Sequence, residues 1–337
     1  MTQKPLLEIE DLKTVFPSDF GMVRAVDGVS FNINSGERLG IVGESGSGKS
    51  VTALSIMGLV PRPPGQVTGK ALFRDTDLLT LKRRQWQGIR GAKIAMIFQD
   101  PLNCLNPAMT IGDQIAEGIR AHFGASRSEA RRRAVESLAR VGIPSPARSA
   151  DEYPHRFSGG MRQRVMIAMA LACEPELVIA DEPTTALDVT IQAQIVELLA
   201  TVCEELGTAV MLITHDLALL AGFAHRVVVM YGGKVVEEGP VDTVYYGASH
   251  PYTWGLMTSI TRLDEERRDR LVPIPGVPPS ATFPPGGCSF HPRCSHAEGV
   301  CRDEVPPLEI RPGENHPCAC HFAGRLTAPP ALSQAQE

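Results

Sequence analysis

Gly43-Glu44-Ser45-Gly46-Ser47-Gly48-Lys49-Ser50 decides how the rest of this chain is read. The apolar run Leu39-Gly40-Ile41-Val42 precedes it and Val51-Thr52-Ala53-Leu54-Ser55-Ile56-Met57 follows, so the segment reads as strand, glycine-rich turn, helix. That context is what the pattern G-x-x-x-x-G-K-[ST] needs in order to act as a phosphate-binding loop. The glycines let backbone N–H groups curl around phosphate oxygens, and the helix turns its positive end towards them. Gly43, Ser45, Gly46, Ser47, Gly48 and Val51 are the expected cradle; Lys49 reaches the β- and γ-phosphates and Ser50 places its hydroxyl on Mg²⁺. A chance glycine-rich turn is the bland reading, and the flanking strand and helix count against it.

The chain has 337 residues, enough for one large domain with an appendage or for two domains. Apolar residues make up 43% and charged residues 21%, which is the make-up of a globular protein rather than a disordered one. A net charge of −5 argues against general nucleic-acid binding, which draws on a surplus of Lys and Arg. No apolar run approaches the roughly 18–20 residues that cross a bilayer; the longest, Val165 to Cys173, stops at Glu174. Met1-Thr2-Gln3-Lys4-Pro5 leads straight into alternating Leu6-Leu7-Glu8-Ile9-Glu10 without a signal-peptide core. The expectation is a cytosolic chain, linked to a membrane only through partners.

Along the chain, Leu7 to Leu12 and Val29 to Ile33 alternate like strands, and Pro61-Arg62-Pro63-Pro64-Gly65 is a stiff break. Strand character resumes from Lys93 to Phe98 and runs into Gln99-Asp100-Pro101. Ile111 to Ile119 and Glu129 to Val141 then have helical spacing, which marks about 101–164 as a helical insertion in an α/β core. Arg131-Arg132-Arg133 lies on the second helix and reads as a solvated face rather than a nucleic-acid contact. Buried strands are expected at Leu177–Ala180 and Ala209–Ile213, separated by a helix from Ile191 to Leu206. Val227–Tyr231 and Lys234–Glu237 flank Gly232-Gly233 as a hairpin. Strands alternating with helices of this length predict a mainly parallel α/β sheet. Beyond about Leu263 the chain turns proline-rich, and Ala328–Glu337 reads as a disordered tail.

Two further stretches carry chemistry. The strand Leu177–Ala180 ends in Asp181-Glu182; Asp181 is placed to hold Mg²⁺ and Glu182 to orient or deprotonate an attacking water. Phe157-Ser158-Gly159-Gly160-Met161-Arg162-Gln163-Arg164 opens an apolar helix, a second anion-binding geometry with bare backbone donors and a hydroxyl. One triphosphate needs one cradle. A second cradle on the same chain predicts that two chains meet and each completes the other's site.

Taken in order, the phosphate loop, Gln99, Ser158-Gly159-Gly160, Asp181-Glu182, Thr185-Ala186-Leu187-Asp188 and His215 resemble the ATP-binding subunits of ABC transporters over about residues 6 to 262. The resemblance implies a P-loop NTPase with a RecA-like core, an antiparallel β subdomain and a helical subdomain. It implies that Gln99 senses Mg²⁺ and water, and that Ser158-Gly159-Gly160 closes on the γ-phosphate held by an opposite subunit. By the same resemblance Asp188 communicates across the dimer and His215 contacts the γ-phosphate. Phe157 and Met161 depart from the general Leu-Ser-Gly-Gly-Gln pattern, and Met161 with Gln163 resembles the peptide-importer branch. Phe16 is the first choice for the aromatic that stacks on adenine, with Phe20 second and a plain core phenylalanine the rival reading.

The eight cysteines fall in two groups. Cys104, Cys173 and Cys203 are scattered and read as small apolar residues, whereas Cys288, Cys294, Cys301, Cys318 and Cys320 crowd together near the end. In a reducing compartment such crowding favours metal over disulfides. Ser249-His250-Pro251-Tyr252-Thr253 and the following cysteines resemble the carboxy-terminal extension of dipeptide, oligopeptide and nickel importer ATPases. The Cys-x5-Cys-x6-Cys spacing is too wide for close Cys-x2-Cys zinc pairs. The resemblance implies a [4Fe–4S] cluster on Cys288, Cys294, Cys301 and Cys320, with Cys318 the rival fourth ligand and zinc the rival metal. His291, His296, His316 and His321 read as surface residues.

The expected organisation is therefore an ABC ATPase domain over 1–262, a loop-rich cysteine module over 263–327 and a tail over 328–337. The expected function is ATP hydrolysis that powers peptide import from the cytoplasmic face of the membrane. The partners implied are a second ATPase subunit, two permease subunits and a solute-binding protein, with no nucleic acid. The competing readings are an importer ATPase for nickel chelates, opines or glutathione, a nucleic-acid ABC machine, and a redox-sensing regulator. A nucleic-acid machine usually carries a long coiled-coil insertion or two cassettes in tandem, and the sequence has only one cassette with a short helical block.

Overall fold

The computed structural model describes residues 4–100, 104–184, 188–259 and 274–329. Its strands are β1 (Leu7–Ser18), β2 (Gly21–Ile33), β3 (Arg38–Val42), β4 (Gln66–Phe73), β5 (Thr76–Asp77), β6 (Ile94–Ile97), β7 (Leu177–Asp181), β8 (Ala209–Thr214), β9 (Arg226–Tyr231) and β10 (Lys234–Pro240). The contacts divide the chain into two compact units. One comprises 1–5, 33–38 and 80–213; the other comprises 6–32, 39–79 and 214–337.

The unit containing the phosphate loop holds a four-stranded sheet in the order β2-β1-β4-β5. β1 and β4 are antiparallel, with a register shift between Glu10 and Lys13. Gly69 sits at that shift with φ +99°, and a Cβ there would lie 2.4 Å from the Asp11 carbonyl oxygen, so the close approach of the two strands requires glycine. In the same unit β3 runs parallel to β9, and β9 turns back into antiparallel β10 through Gly232-Gly233. β3 leads directly into the phosphate loop and the Lys49–Ile56 helix, the order expected from the sequence.

The described part of the carboxy-terminal extension belongs to this unit and is stitched to β10. Ala319 donates its N–H to Val236 O at 2.8 Å, Glu238 donates to Pro317 O at 3.1 Å, and Glu237 pairs with Cys318 as an antiparallel bridge. The Pro251–Thr258 helix begins with proline at its first turn and is capped by His250, whose Nδ1 accepts the Tyr252 N–H at 3.1 Å.

The other unit is built on the parallel strands β6, β7 and β8. Every residue of β7 and β8 is buried, as expected of parallel strands covered on both faces. Its helices start where the sequence supplies side-chain oxygens: Thr110 caps Ile111–Phe123, Ser126 caps Arg127–Arg140, Ser158 caps Gly159–Leu171 and Asp188 caps Val189–Leu206. Gly124 and Gly207 end two of them in the left-handed conformation. The arginine triplet is only partly a solvated face. Arg132 pairs at the surface with Glu129 and Glu136, whereas Arg131 ties to Ala150 O and Asp151, and Arg133 lies over the Phe123 ring at 4.7 Å.

Candidate functional site

The phosphate loop is built to keep its backbone exposed and its anchor buried. Ser45 and Gly46 are exposed, while Ser47 and Lys49 are each 4% exposed. Gly43 packs against β9, where an added Cβ would lie 2.2 Å from Met230 O; Gly48, at φ +100°, would put one 2.4 Å from Ala25 O. Lys49 Nζ donates to Gly43 O at 2.7 Å and Glu44 O at 3.0 Å, so the ammonium is folded back on its own loop. Ser50 and Val51 follow in the first turn of the Lys49–Ile56 helix.

In the same unit, Glu44 is gripped from the carboxy-terminal extension. Arg293 reaches it with two parallel hydrogen bonds, Nη1 to Oε2 at 2.6 Å and Nη2 to Oε1 at 3.1 Å. The Glu44 N–H donates to the Tyr252 hydroxyl at 2.7 Å. The hydrogen bond from Arg293 to Glu44 holds the guanidinium still further above its ordinary pKa range, and burial pushes the Tyr252 hydroxyl up. Tyr231, Tyr252 and Phe290 pack, tilted or edge-on, into one aromatic cluster with centroids 4.5–5.4 Å apart. In the sequence Tyr252 is legible only as part of His250-Pro251-Tyr252, and Arg293 only as the neighbour of Cys294. A lone arginine beside a cysteine carries no signal of a partner 249 positions away. Phe16 is half-buried in β1 with its ring beside Gly65, and Phe20 is 80% exposed. His215 follows β8 and is exposed; its neighbour Asp216 caps the Leu217–Ala221 helix.

The other unit holds the remaining sequence-derived residues. Asp181 is buried at the end of β7. Glu182 follows with φ 46°, a left-handed backbone that non-glycine residues adopt at a cost, and its N–H donates to Ile213 O at 2.9 Å. Gln99 is exposed just after β6 and donates Nε2–H to Glu182 Oε2 at 3.3 Å. Ser158 is exposed with Gly159 at the start of its helix, its hydroxyl accepting the Met161 N–H at 3.3 Å. Gly160 lies against Ile191, and Asp188 accepts the Ile191 N–H at 3.0 Å. Thr185, Ala186 and Leu187 lie outside the described residues.

Cys288, Cys294, Cys301 and Cys320 line one narrow cavity with Phe290, Phe322, Leu326, Pro251 and four histidines, His250, His291, His296 and His321. Cys318 is not part of its lining; it is fully buried against Glu237. Burial pushes the Cys288 and Cys294 thiols up and raises Cys320 to about 11. Among the described residues no group of three or more His, Cys, Asp or Glu side chains is arranged to hold a metal ion. His316 departs from the surface reading. It is 1% exposed, and its Nε2 lies 2.7 Å from the fully buried Glu237 carboxylate.

A parallel α/β core with this loop between strand and helix is the P-loop nucleotide-binding arrangement. The ABC transporter family profile matches residues 26–185, and the profile of the oligopeptide/dipeptide transporter C-terminal region matches residues 236–301. The chain is 53% identical over 317 residues to a probable peptide ABC transporter ATP-binding protein of Sinorhizobium fredii, covering 94% of each chain. It is 47% identical over 326 residues to the dipeptide transport ATP-binding protein DppD of Escherichia coli, covering 96% of this chain and 99% of DppD. Among solved structures it resembles the dimeric, ADP- and Pi-bound ATP-binding cassette MJ0796, with 32% identity and a TM-score of 0.61 over 70% of this chain and 98% of that one. The chain belongs to the ATP-binding proteins of ABC transporters, in the branch that carries the oligopeptide/dipeptide transporter C-terminal region. It is an ATP-hydrolysing transport subunit, and no helix among its described residues is long and apolar enough to cross a membrane.

Proposed function

We propose that this subunit powers the import of dipeptides or oligopeptides, working from the cytoplasmic face of the membrane with a second ATPase subunit and two permease subunits. A solute-binding protein outside the membrane supplies the cargo. The peptide cargo is supported by the relatives' names and by the joining of both family regions in one chain. The domain reading stays as 1–262 for the ATPase and 263–327 for the extension; the boundary between them lies outside the described residues.

In the site, Lys49 and the loop at Gly43, Ser45, Gly46, Ser47, Gly48, Ser50 and Val51 hold the triphosphate, Phe16 stacks on adenine, and Ser50, Asp181 and Gln99 would hold Mg²⁺. Glu182 orients the attacking water and His215 contacts the γ-phosphate. Ser158-Gly159-Gly160 closes on the partner's nucleotide, and Asp188 lies on the path between the two sites. The observation that carries the catalytic reading is Glu182 itself. Its carboxylate stands at the mouth of a buried strand on a left-handed backbone, bridged to Gln99. Such strain is retained where the carboxylate has to be aimed. Catalysis is then positioning and charge stabilisation rather than covalent chemistry.

We assign the cysteine cavity to a [4Fe–4S] cluster held by Cys288, Cys294, Cys301 and Cys320. The four thiols that line the cavity match the donor set of such a cluster in kind though not in arrangement, and the position of Cys318 outside the lining supports Cys320 as the fourth ligand. Thiolate ligation would staple the loops of the extension together. The test is purification of the complex without oxygen, identification of its subunits by mass spectrometry, and ATP-driven uptake of labelled dipeptides into proteoliposomes. Uptake of peptides above nickel chelates, opines and glutathione is expected; preference for any of those would replace the cargo. Iron and sulfide analysis of the same sample decides between the cluster and zinc.

A further inference from the structure

The phosphate loop carries a carboxylate, Glu44, between Gly43 and Ser45. A bare anion there opposes the binding of a triphosphate. We infer that Arg293 is a positioning residue for ATP binding, which holds and neutralises Glu44 so that the carboxy-terminal extension sets the shape and charge of the phosphate loop. The inference rests on the reading of Gly43 to Ser50 as the triphosphate cradle.

Arg293 has five N–H donors, and all five are used. Nη1 donates to Glu44 Oε2 at 2.6 Å and to the Tyr231 hydroxyl at 3.3 Å. Nη2 donates to Glu44 Oε1 at 3.1 Å and to Ile274 O at 3.1 Å, and Nε donates to Pro275 O at 2.7 Å. The side chain is 3% exposed against 27% for Glu44. A guanidinium so fully enclosed and satisfied has one orientation, and its two-pronged contact transfers that orientation to the carboxylate.

Glu44 is held at two further points. Its N–H is taken by Tyr252, and its carbonyl receives Lys49 Nζ at 3.0 Å. One loop residue thus joins the extension, through Arg293, to the lysine expected on the β- and γ-phosphates. Arg293 stands next to Cys294, and Phe290 packs edge-on against Tyr231 at 5.2 Å, so the grip is continuous with the wall of the cysteine cavity. Loss of Arg293 leaves a partly buried carboxylate without its counter-charge in the loop, whereas loss of both charges does not.

The test uses the full chain for titration with a fluorescent ATP analogue and the assembled transporter for ATPase kinetics. R293A is expected to raise both the Kd for the analogue and the KM for ATP by about tenfold or more, with kcat at saturating ATP nearly unchanged. R293K keeps the charge but loses the fork and falls between R293A and wild type. Adding E44Q to R293A removes the bare charge and is expected to recover most of the affinity, which a purely structural arginine would not allow. Melting temperature and iron content are read on each variant, and if R293A fails to fold, R293K and the double variant decide. Unchanged Kd in R293A or R293K, with K49A abolishing binding, overturns the inference; so does failure of E44Q to rescue. If K49A also leaves ATP affinity unchanged, the reading of the loop is itself wrong.

Discussion

Gly43→Ala adds one methyl group and tests the loop more sharply than removal of a charge would. Gly43 does not occupy the left-handed region, so alanine meets no backbone penalty there. The entire cost is steric. The new Cβ would lie 2.2 Å from Met230 O and 2.8 Å from Ser47 Oγ, and the first of these is backbone in a buried strand. β9 is paired on both sides, to β3 and to β10, so the loop moves and the strand does not. Overpacking of this kind costs about 1–3 kcal/mol. Because the Gly43 carbonyl anchors Lys49 Nζ at 2.7 Å, the displacement falls on the phosphate-binding geometry. If it falls there in full, ATP affinity drops by roughly 5- to 150-fold. Gly207→Ala is the matched control. Gly207 ends the Val189–Leu206 helix at φ +65° with nothing within 4 Å of an added Cβ, so its cost is backbone strain of about 1–2 kcal/mol, away from the loop. Both variants are expected to melt earlier, and only Gly43→Ala to lose affinity in titration with a fluorescent ATP analogue. Equal affinity in the two variants would mean that Gly43 does not set the phosphate-binding geometry.

Two more outcomes follow from the extension. On the proposed cluster assignment, Cys320→Ser is expected to lose most of the iron and sulfide bound per chain, and Cys318→Ser to retain it, when both are purified without oxygen; the reverse pattern would make Cys318 the fourth ligand. His316→Ala removes the counter-charge of buried Glu237, which keeps the N–H groups of Ser249 and His250, and is expected to cost about 3 kcal/mol, read as a lower melting temperature. Burial works against the His316 charge, but the hydrogen bond and negative charge of Glu237 outweigh it and raise the pKa above the ordinary 6.5. The stabilisation from this pair is therefore complete below about pH 6.5 and fades as the pH rises through the higher, folded-state value. The gap between wild type and His316→Ala should narrow on going from pH 6 to pH 9, and a constant gap would mean that the pair is not charged.

Strands buried on both faces were readable because they are unbroken apolar runs; Leu177–Ala180 and Ala209–Ile213 appear almost as expected. Half-exposed strands were not. β2 begins at Gly21 rather than Val29 because its first half faces solvent and shows no apolar period. β4 was not foreseen: Gly69 and Lys70 interrupt its alternation, and only Ala71 and Phe73 are buried. Loop motifs were legible because their chemistry demands particular residues in particular places, as in the phosphate loop and Asp181-Glu182. Pairings made by the fold were not legible. Nothing local to Glu44 announces Arg293, and nothing local to His316 announces Glu237.

Glu182→Gln in the reconstituted transporter separates ATP binding from the hydrolysis that Glu182 is proposed to drive. ATP-driven peptide uptake and phosphate release are measured together with ATP binding. The variant is expected to bind ATP as tightly as wild type while hydrolysis at its site and coupled uptake fall by at least about a hundredfold. Uptake and phosphate release near wild-type rates in that variant would contradict that role for Glu182.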